Sequence, residues 1–305
     1  MIRLIASALC VLFLIDSAAM AQDRVRLGYG RLVTNDLIGD GHDRWRTASV
    51  ASSRVWGPDW TGSAPGGFGQ LLELRLGAEI ISPENIATPA AGDRPYAGSI
   101  SVGLHTHFQT ALAEFALGGD LVFTGPQTQL DDFQDFVHDA IGGRDLSSGV
   151  RRNQIGNDMN PTGVFEMART LRFGSTGQLR PFMEARAGVE TLVRVGADVN
   201  FGGFAQDTLL VRDPVTGHRY QTIGNDLTGF SFMMGADIAH VEDSEFLTES
   251  RGFELSDARS RVRAGMHYQS AEGHRAFYGL TWLDKEFKGQ QDSQIVGSVR
   301  LHISF

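Results

Sequence analysis

The chain closes on Gln294-Ile295-Val296-Gly297-Ser298-Val299-Arg300-Leu301-His302-Ile303-Ser304-Phe305, a stretch that divides by parity. Ile295, Gly297, Val299, Leu301, Ile303 and Phe305 occupy the odd positions, while Gln294, Ser298, Arg300, His302 and Ser304 occupy even ones. Successive side chains of a β-strand point to opposite faces, so this stretch is a strand with one apolar and one polar side. The same division recurs upstream. Leu72, Leu74, Leu76, Ala78 and Ile80 alternate with Glu73, Arg75 and Glu79. Ile100, Val102, Leu104 and Phe108 oppose Ser99, Ser101, His105 and His107. Met183 to Val195 oppose Glu184, Arg186, Glu190 and Arg194; Val262, Ala264, Met266 and Tyr268 oppose Arg261, Arg263, His267 and Gln269.

A soluble sandwich would alternate too. Two features favour an all-β, 12-stranded antiparallel transmembrane β-barrel. The segments reach about ten residues or more, the length of a tilted strand crossing a bilayer. Their polar faces mix carboxylates with guanidinium groups, as suits a wet lumen of ion-paired side chains. Strands are predicted near 24–34, 46–56, 68–82, 96–109, 111–124, 162–173, 180–197, 227–240, 242–252, 259–270, 275–287 and 293–305. With the N-terminus periplasmic, the long connections 125–161 and 198–226 are expected outside. Gln109-Thr110 and Ala239 to Glu242 are expected as short periplasmic turns.

Met1 to Arg3, the apolar run Leu4 to Ile15 and Ala19-Met20-Ala21 have the layout of a signal peptide. Residues 1–21 are therefore expected to be removed, leaving 22–305 as an outer-membrane β-barrel domain. The single cysteine, Cys10, lies in that leader, so disulfide and thiol chemistry are not expected of the mature chain. The net charge of −9 argues against nucleic acid as a partner, because phosphate binding wants a basic surface.

Function should lie in the outer loops. Leu130 to Ile141 reads LDDFQDFVHDAI, with Phe133, Phe136, Val137 and Ile141 at helical spacing, so a short helix in an extracellular loop is predicted. Gly142-Gly143 ends it. His138 sits on this helix between Asp135 and Asp139. Asn35-Asp36 closes the first predicted strand, Thr47 opens the second, Asp93-Arg94-Pro95-Tyr96 opens the fourth and Asn157-Asp158 precedes the sixth. Each alone is ordinary turn chemistry. An up-and-down barrel brings them all to one rim, where carboxylate and amide oxygens plus an imidazole suit calcium-assisted hydrolysis.

In this order, Asn35-Asp36, Asp43, Thr47, Gly92-Asp93-Arg94-Pro95-Tyr96-Ala97-Gly98, His138-Asp139, Glu286-Phe287 and Gln290 resemble the lipid A 3′-O-deacylase family over nearly the whole mature chain. The resemblance implies a barrel of the cell outer membrane of Gram-negative bacteria, acting on lipid A (lipopolysaccharide). It implies hydrolysis of the 3′-linked acyloxyacyl ester with Ca2+ stabilising the oxyanion. His138 falls at the general-base position, Asn35 and Asp36 at the pair that serves calcium and the histidine, and Thr47 at the hydroxyl position. Arg94 and Tyr96 are the expected substrate contacts.

Two other readings remain open at this stage. One is a non-catalytic barrel, a porin or structural protein, whose charged lumen needs no chemistry. The other is a Ser-His outer-membrane phospholipase, since Ser147 and Ser148 share the loop of His138. His105 and His107, two apart on one strand face, could also bind a metal, although two ligands make a poor site.

Overall fold

The computed structural model describes residues 24–304; the signal-peptide expectation and the terminal Phe305 lie outside them. Twelve long strands form the wall. In chain order they are β1 (Val25–Asn35), β2 (Trp45–Gly57), β3 (Leu71–Ser82), β4 (Ala97–Gln109), β5 (Glu114–Thr124) and β6 (Asp158–Ala168). After a short β7 (Leu171–Phe173) come β8 (Gly177–Ala187) and β9 (Glu190–Phe201). A small hairpin, β10 (Leu209–Arg212) and β11 (Arg219–Ile223), then precedes β12 (Gly229–Ser244), β13 (Arg259–Gln269), β14 (Arg275–Leu283) and β15 (Gln294–His302). Neighbours pair antiparallel throughout. The β1–β15 pairing closes the sheet on itself, removing the exposed edges an open sheet would leave.

Parity does what the sequence predicts. Leu104, Phe230, Phe232, Met234 and Val262 are exposed on the outer face, an apolar band facing lipid. Their neighbours point into the lumen and pair. Arg263 bridges Asp198 and Asp237, Arg212 bridges Asp198 and Glu166, and Arg261 grips Asp237 at 2.9 Å. No helix among the described residues is long and apolar enough to cross a membrane.

The strand count of twelve holds through two compensating corrections. The predicted strand 180–197 is two strands, β8 and β9, joined at Gly188-Val189. Arg186 pairs with Leu192, six residues on, and this even separation keeps even positions inward on both sides, so the alternation runs on without a break. Gly188, at φ 150, makes the turn where a Cβ would meet Thr162 Oγ1 at 2.3 Å. Conversely, the predicted 242–252 strand does not form. The expected turn at Ala239 to Glu242 lies inside β12, where Val241 to Asp243 is a register irregularity against β9.

The correction moves a loop. Residues 202–228 lie not at the distal rim but at the terminal rim, the end that carries both chain termini. The connection folds inward as the β10–β11 hairpin. Val211 and Tyr220 pack with Leu32, Ala51, Met233 and Phe277, and Thr216 and His218 are fully buried. The hairpin is inserted into the lumen.

Candidate active site

At the distal rim, β1 hands over to a tight loop. Asn35 has the parity of Val33, on the outward face, and its Oδ1 accepts the Leu37 N–H at 2.8 Å. Asp36 turns inward and is buried. Its N–H donates to the Thr47 carbonyl at 3.0 Å, and its Oδ2 accepts the Arg44 N–H at 2.8 Å. The loop is pinned to the last strand, with the Asp40 N–H on the Ile295 carbonyl at 3.0 Å and the Ile295 N–H on Asp40 Oδ2 at 3.1 Å. Gly39 permits this approach, since a Cβ there would sit 2.2 Å from the Ile295 carbonyl oxygen. Gln294 holds the other side, donating to the Arg44 carbonyl at 2.6 Å and accepting the Arg46 N–H at 3.2 Å.

Thr47 is the extra residue where the β2–β3 register slips between Arg46 and Ala48. The slip lets Arg46 face the lumen ion pairs while Ala48 faces out. Thr47 Oγ1 donates to Asp43 Oδ1 at 2.6 Å.

Against the outside of this wall lies the loop 125–157. Its predicted helix is present as α1 (Leu130–Ile141), followed by α2 (Ser148–Arg152). Leu146 and Val150 pack with Ile80, Ile86 and Tyr96, and Leu130 and Ala48 join them, so the loop is seated on the lipid-side face of β2 and β3. Gly98 of β4 makes room, because a Cβ there would lie 2.6 Å from Thr128 Oγ1 and 2.9 Å from Leu130 Cβ. Arg151 locks the two helices together through Asp131 at 2.7 Å, Asp132 at 2.9 Å and Asp135 at 2.5 Å.

His138 stands in the last turn of α1. Gly142, left-handed at φ 77, reverses the chain, and the Gly143 N–H donates to the His138 carbonyl at 2.8 Å. The reversal places the Arg144 carbonyl 2.5 Å from His138 Nδ1. A carbonyl only accepts, so Nδ1 carries a proton and Nε2 is the basic nitrogen of the neutral ring. Nε2 faces Asp43 Oδ2 at 3.2 Å. The constellation runs from the Arg144 carbonyl through His138 and Asp43 to Thr47.

Asp36 is the electrostatically costly member. Burial raises its carboxyl to about 8, partly offset by the Arg44 N–H and reinforced by the charges of Asp43 and Asp40. Among the described residues no lysine or arginine side-chain nitrogen lies within 4.0 Å of the Asp36 or Asp43 carboxylate. Such carboxylate oxygens suit a hard cation. The described residues hold no group of three or more His, Cys, Asp or Glu side chains able to ligate a metal, so backbone, water or substrate oxygens would have to complete its shell.

The profile of the outer membrane protein LpxR family matches residues 5–305. The chain belongs to the LpxR family. This is the lipid A 3′-O-deacylase family that the motifs resemble, and it places the protein in the outer membrane. The solved LpxR from Salmonella typhimurium is similar in fold, with TM-score 0.72 and 18% identity over 91% of this chain and 100% of that one. A NanC porin structure (TM-score 0.39, 7% identity, 90% of this chain and 100% of that one) and a bacterial polysaccharide outer membrane secretin (0.40, 9%, 92% and 98%) are too distant to carry an argument. No curated protein sequence matches.

Within this LpxR-family chain the predicted site residues divide. Asn35, Asp36, Thr47 and His138 are gathered at one rim, but the carboxylate at His138 is Asp43, with Asp36 occupied by Arg44. Arg94 turns away: it is buried and ion-paired to Glu286, with Nε and Nη2 lacking hydrogen bonds among the described residues. Burial, with Arg46 and Arg259 nearby, lowers its guanidinium from the usual value despite Glu286. Tyr96 is buried beneath the helical loop, its hydroxyl without a hydrogen-bond partner among the described residues and pushed above its ordinary pKa by burial and by the charges of Asp131 and Asp135. Asn157 Oδ1 accepts the Gln127 N–H at 2.8 Å, which is loop scaffolding.

Sequence reasoning did not give Asp43 a role at His138, nor Gln294 one at all. Asp43 precedes Thr47 by four residues in an Asp-rich loop, and that spacing was the available signal. Ser147 caps α2, accepting the Val150 N–H at 3.3 Å, and both ring nitrogens of His138 face other groups. His105 and His107 bind separate carboxylates, Asp120 at 2.8 Å and Glu73 at 2.7 Å, and so do not form a metal pair.

Proposed function

We propose that this protein hydrolyses the 3′-linked acyloxyacyl ester of lipid A, with His138 as general base. The observation that carries the reading is the imidazole itself: Nδ1 is committed to the Arg144 carbonyl, and Nε2 is presented beside Asp43 on the lipid-facing side of the wall. A lipid in the outer leaflet reaches that face laterally, with its acyl chains along the apolar band and its headgroup at the rim.

A water at the open side of Nε2 would donate one hydrogen to it and keep an oxygen lone pair free for the ester carbonyl. As the water attacks, Nε2 takes its proton. Asp43, oriented by Thr47, stabilises the resulting imidazolium, and the imidazolium then protonates the departing alkoxide. Asp36 and Asn35 would hold calcium, whose chemistry is to polarise the carbonyl and stabilise the oxyanion. Arg94 and Tyr96 shape the rim that receives the headgroup, Arg94 through Glu286 and Tyr96 from under α1.

Against the porin reading stands the obstructed lumen, with its inserted hairpin and cross-linked ion pairs. Against the Ser-His reading stands the capping role of Ser147. The test is mass spectrometry of lipid A from cells expressing wild type or His138→Ala, with and without calcium. Loss of one 3′-linked acyl group only with wild type and calcium supports the assignment. Intact lipid A in every sample, with folded protein in the outer membrane, refutes it.

A further inference from the structure

The opposite end of the barrel holds a second feature that owes nothing to the His138 site. Between the β3–β8 part of the wall and the inserted hairpin lies a cavity of about 310 Å³. Its volume falls in the range of small-molecule pockets, about 300–1,000 Å³. It opens to solvent at Arg172 and Asp207, whose side chains are 66% and 63% exposed. Phe108 and Trp60 contribute aromatic surface, and the Trp60 Nε1–H is tied to the Asp207 carbonyl at 2.8 Å.

Six arginines line this cavity, and five are matched by carboxylates. Arg75 pairs with Glu73 at 2.9 Å, Arg172 with Asp207 at 3.2 Å, and Arg180 with Glu166 at 2.8 Å and Glu114 at 2.9 Å. Arg186 pairs with Glu184, and Arg212 pairs with Glu166 at 2.6 Å. Arg219 differs. Among the described residues no carboxylate lies within 4.0 Å of it, its Nη2 makes one long 3.5 Å contact to the Leu210 carbonyl, and its Nε is buried without a hydrogen bond. A guanidinium carries five N–H donors, and leaving them dry and unpaired is costly. Here the unmatched donors belong to a residue that lines an open cavity.

We propose that this cavity at the terminal rim binds a small molecule bearing an oxyanion, a phosphate or a carboxylate, with Arg219 as its recognition group. The planar fork of the guanidinium fits two oxygens of such a group. The rest of the cavity holds the body of the ligand against Trp60 and Phe108. Because β11 carries Arg219, the ligand bridges the hairpin to the wall and fastens the plug. The site faces the terminal rim, periplasmic in this class, and is separate from the lipid-facing one.

The test uses the full barrel in detergent, titrated with sodium phosphate and, in a second arm, sodium acetate, against sodium chloride at equal ionic strength. Binding is followed by calorimetry and tryptophan fluorescence. Saturable binding of either anion is expected, and the arm that saturates identifies the oxyanion. Arg219→Gln should weaken it about 10–100-fold, the loss of one to two charge-assisted hydrogen bonds, whereas Arg219→Lys keeps the charge without the fork and should bind with an affinity between those of wild type and Arg219→Gln. Trp60→Phe should remove the fluorescence change while the heat persists, which localises binding without disturbing Arg219. No saturation by either anion beyond the chloride control overturns the proposal, as does equal affinity in Arg219→Gln. If Arg219→Gln does not fold, a fluorescence change that survives Trp60→Phe overturns it.

Discussion

Replacing Asp43 by asparagine tests the proposed roles of Asp43 as counter-charge and His138 as base. The amide keeps an oxygen for the Thr47 hydroxyl, which donates at 2.6 Å, but puts an NH2 where Oδ2 faces His138 Nε2 at 3.2 Å. That NH2 would donate to the nitrogen that should take the proton, and the imidazolium formed later would lose its counter-charge. Two unit charges about 4 Å apart interact by roughly 4 kcal/mol at an effective dielectric of 20. Asp43 is 38% exposed, so solvent screens the pair. About 1–2 kcal/mol then remains, or roughly 5–30-fold in turnover. The histidine tautomer is fixed independently by the Arg144 carbonyl, so the larger penalty of a wrong tautomer does not apply. The assay is acyl release from purified lipid A in mixed micelles, comparing Asp43→Asn, His138→Ala and wild type; His138→Ala should lose about 10²–10⁴-fold. If Asp43→Asn matches wild type, or falls as far as His138→Ala, the roles assigned to the two residues are wrong.

Glu286→Gln should destabilise the barrel at neutral pH by about 3–5 kcal/mol, because it strands buried guanidinium groups. Despite burial, Arg46, Arg94 and Arg259 hold the Glu286 carboxyl well below its usual 4.5, so its stabilisation is fully present above that pH and is lost as pH falls beneath it. Urea unfolding should therefore show the mutant and wild type diverging at pH 7 and converging in strong acid. Gly39→Ala drives a Cβ to 2.2 Å from the Ile295 carbonyl oxygen and should displace the 36–44 loop. The variant should lose most acyl release while keeping the heat-modifiable gel mobility of a folded barrel; full activity would show that the loop is dispensable. Arg151→Gln removes the link from α2 to Asp131, Asp132 and Asp135. With Arg151 partly solvated, a cost of about 1 kcal/mol is expected, seen as several-fold faster proteolysis within 125–157.

The sequence by itself determined that this chain is a barrel wall. Lipid on one side and a polar lumen on the other force every strand into the same alternation, and that pattern survives in each segment without knowledge of its neighbours. It also determined the helix carrying His138, from Phe133, Phe136, Val137 and Ile141, and the order of motifs that marks the family. The tertiary structure decided where the pattern breaks. The turn at Gly188-Val189 joins strands whose paired residues are an even number apart, so it preserves parity and is silent in the alternation, while the irregularity at Val241 to Asp243 resembles a turn and is none. Loop 202–228 therefore changed ends, and the polar, apolar and aromatic mixture of its hairpin became intelligible only against the lumen groups it meets. The site was half legible. Asn35, Asp36, Thr47 and His138 stand out by residue type, but Asp43 reaches His138 only because Gly142 reverses one loop and Gly39 lets another settle on β15. Arg94 shows the same limit: a guanidinium at a rim can face substrate or a buried carboxylate, and only packing against Glu286 chooses between them.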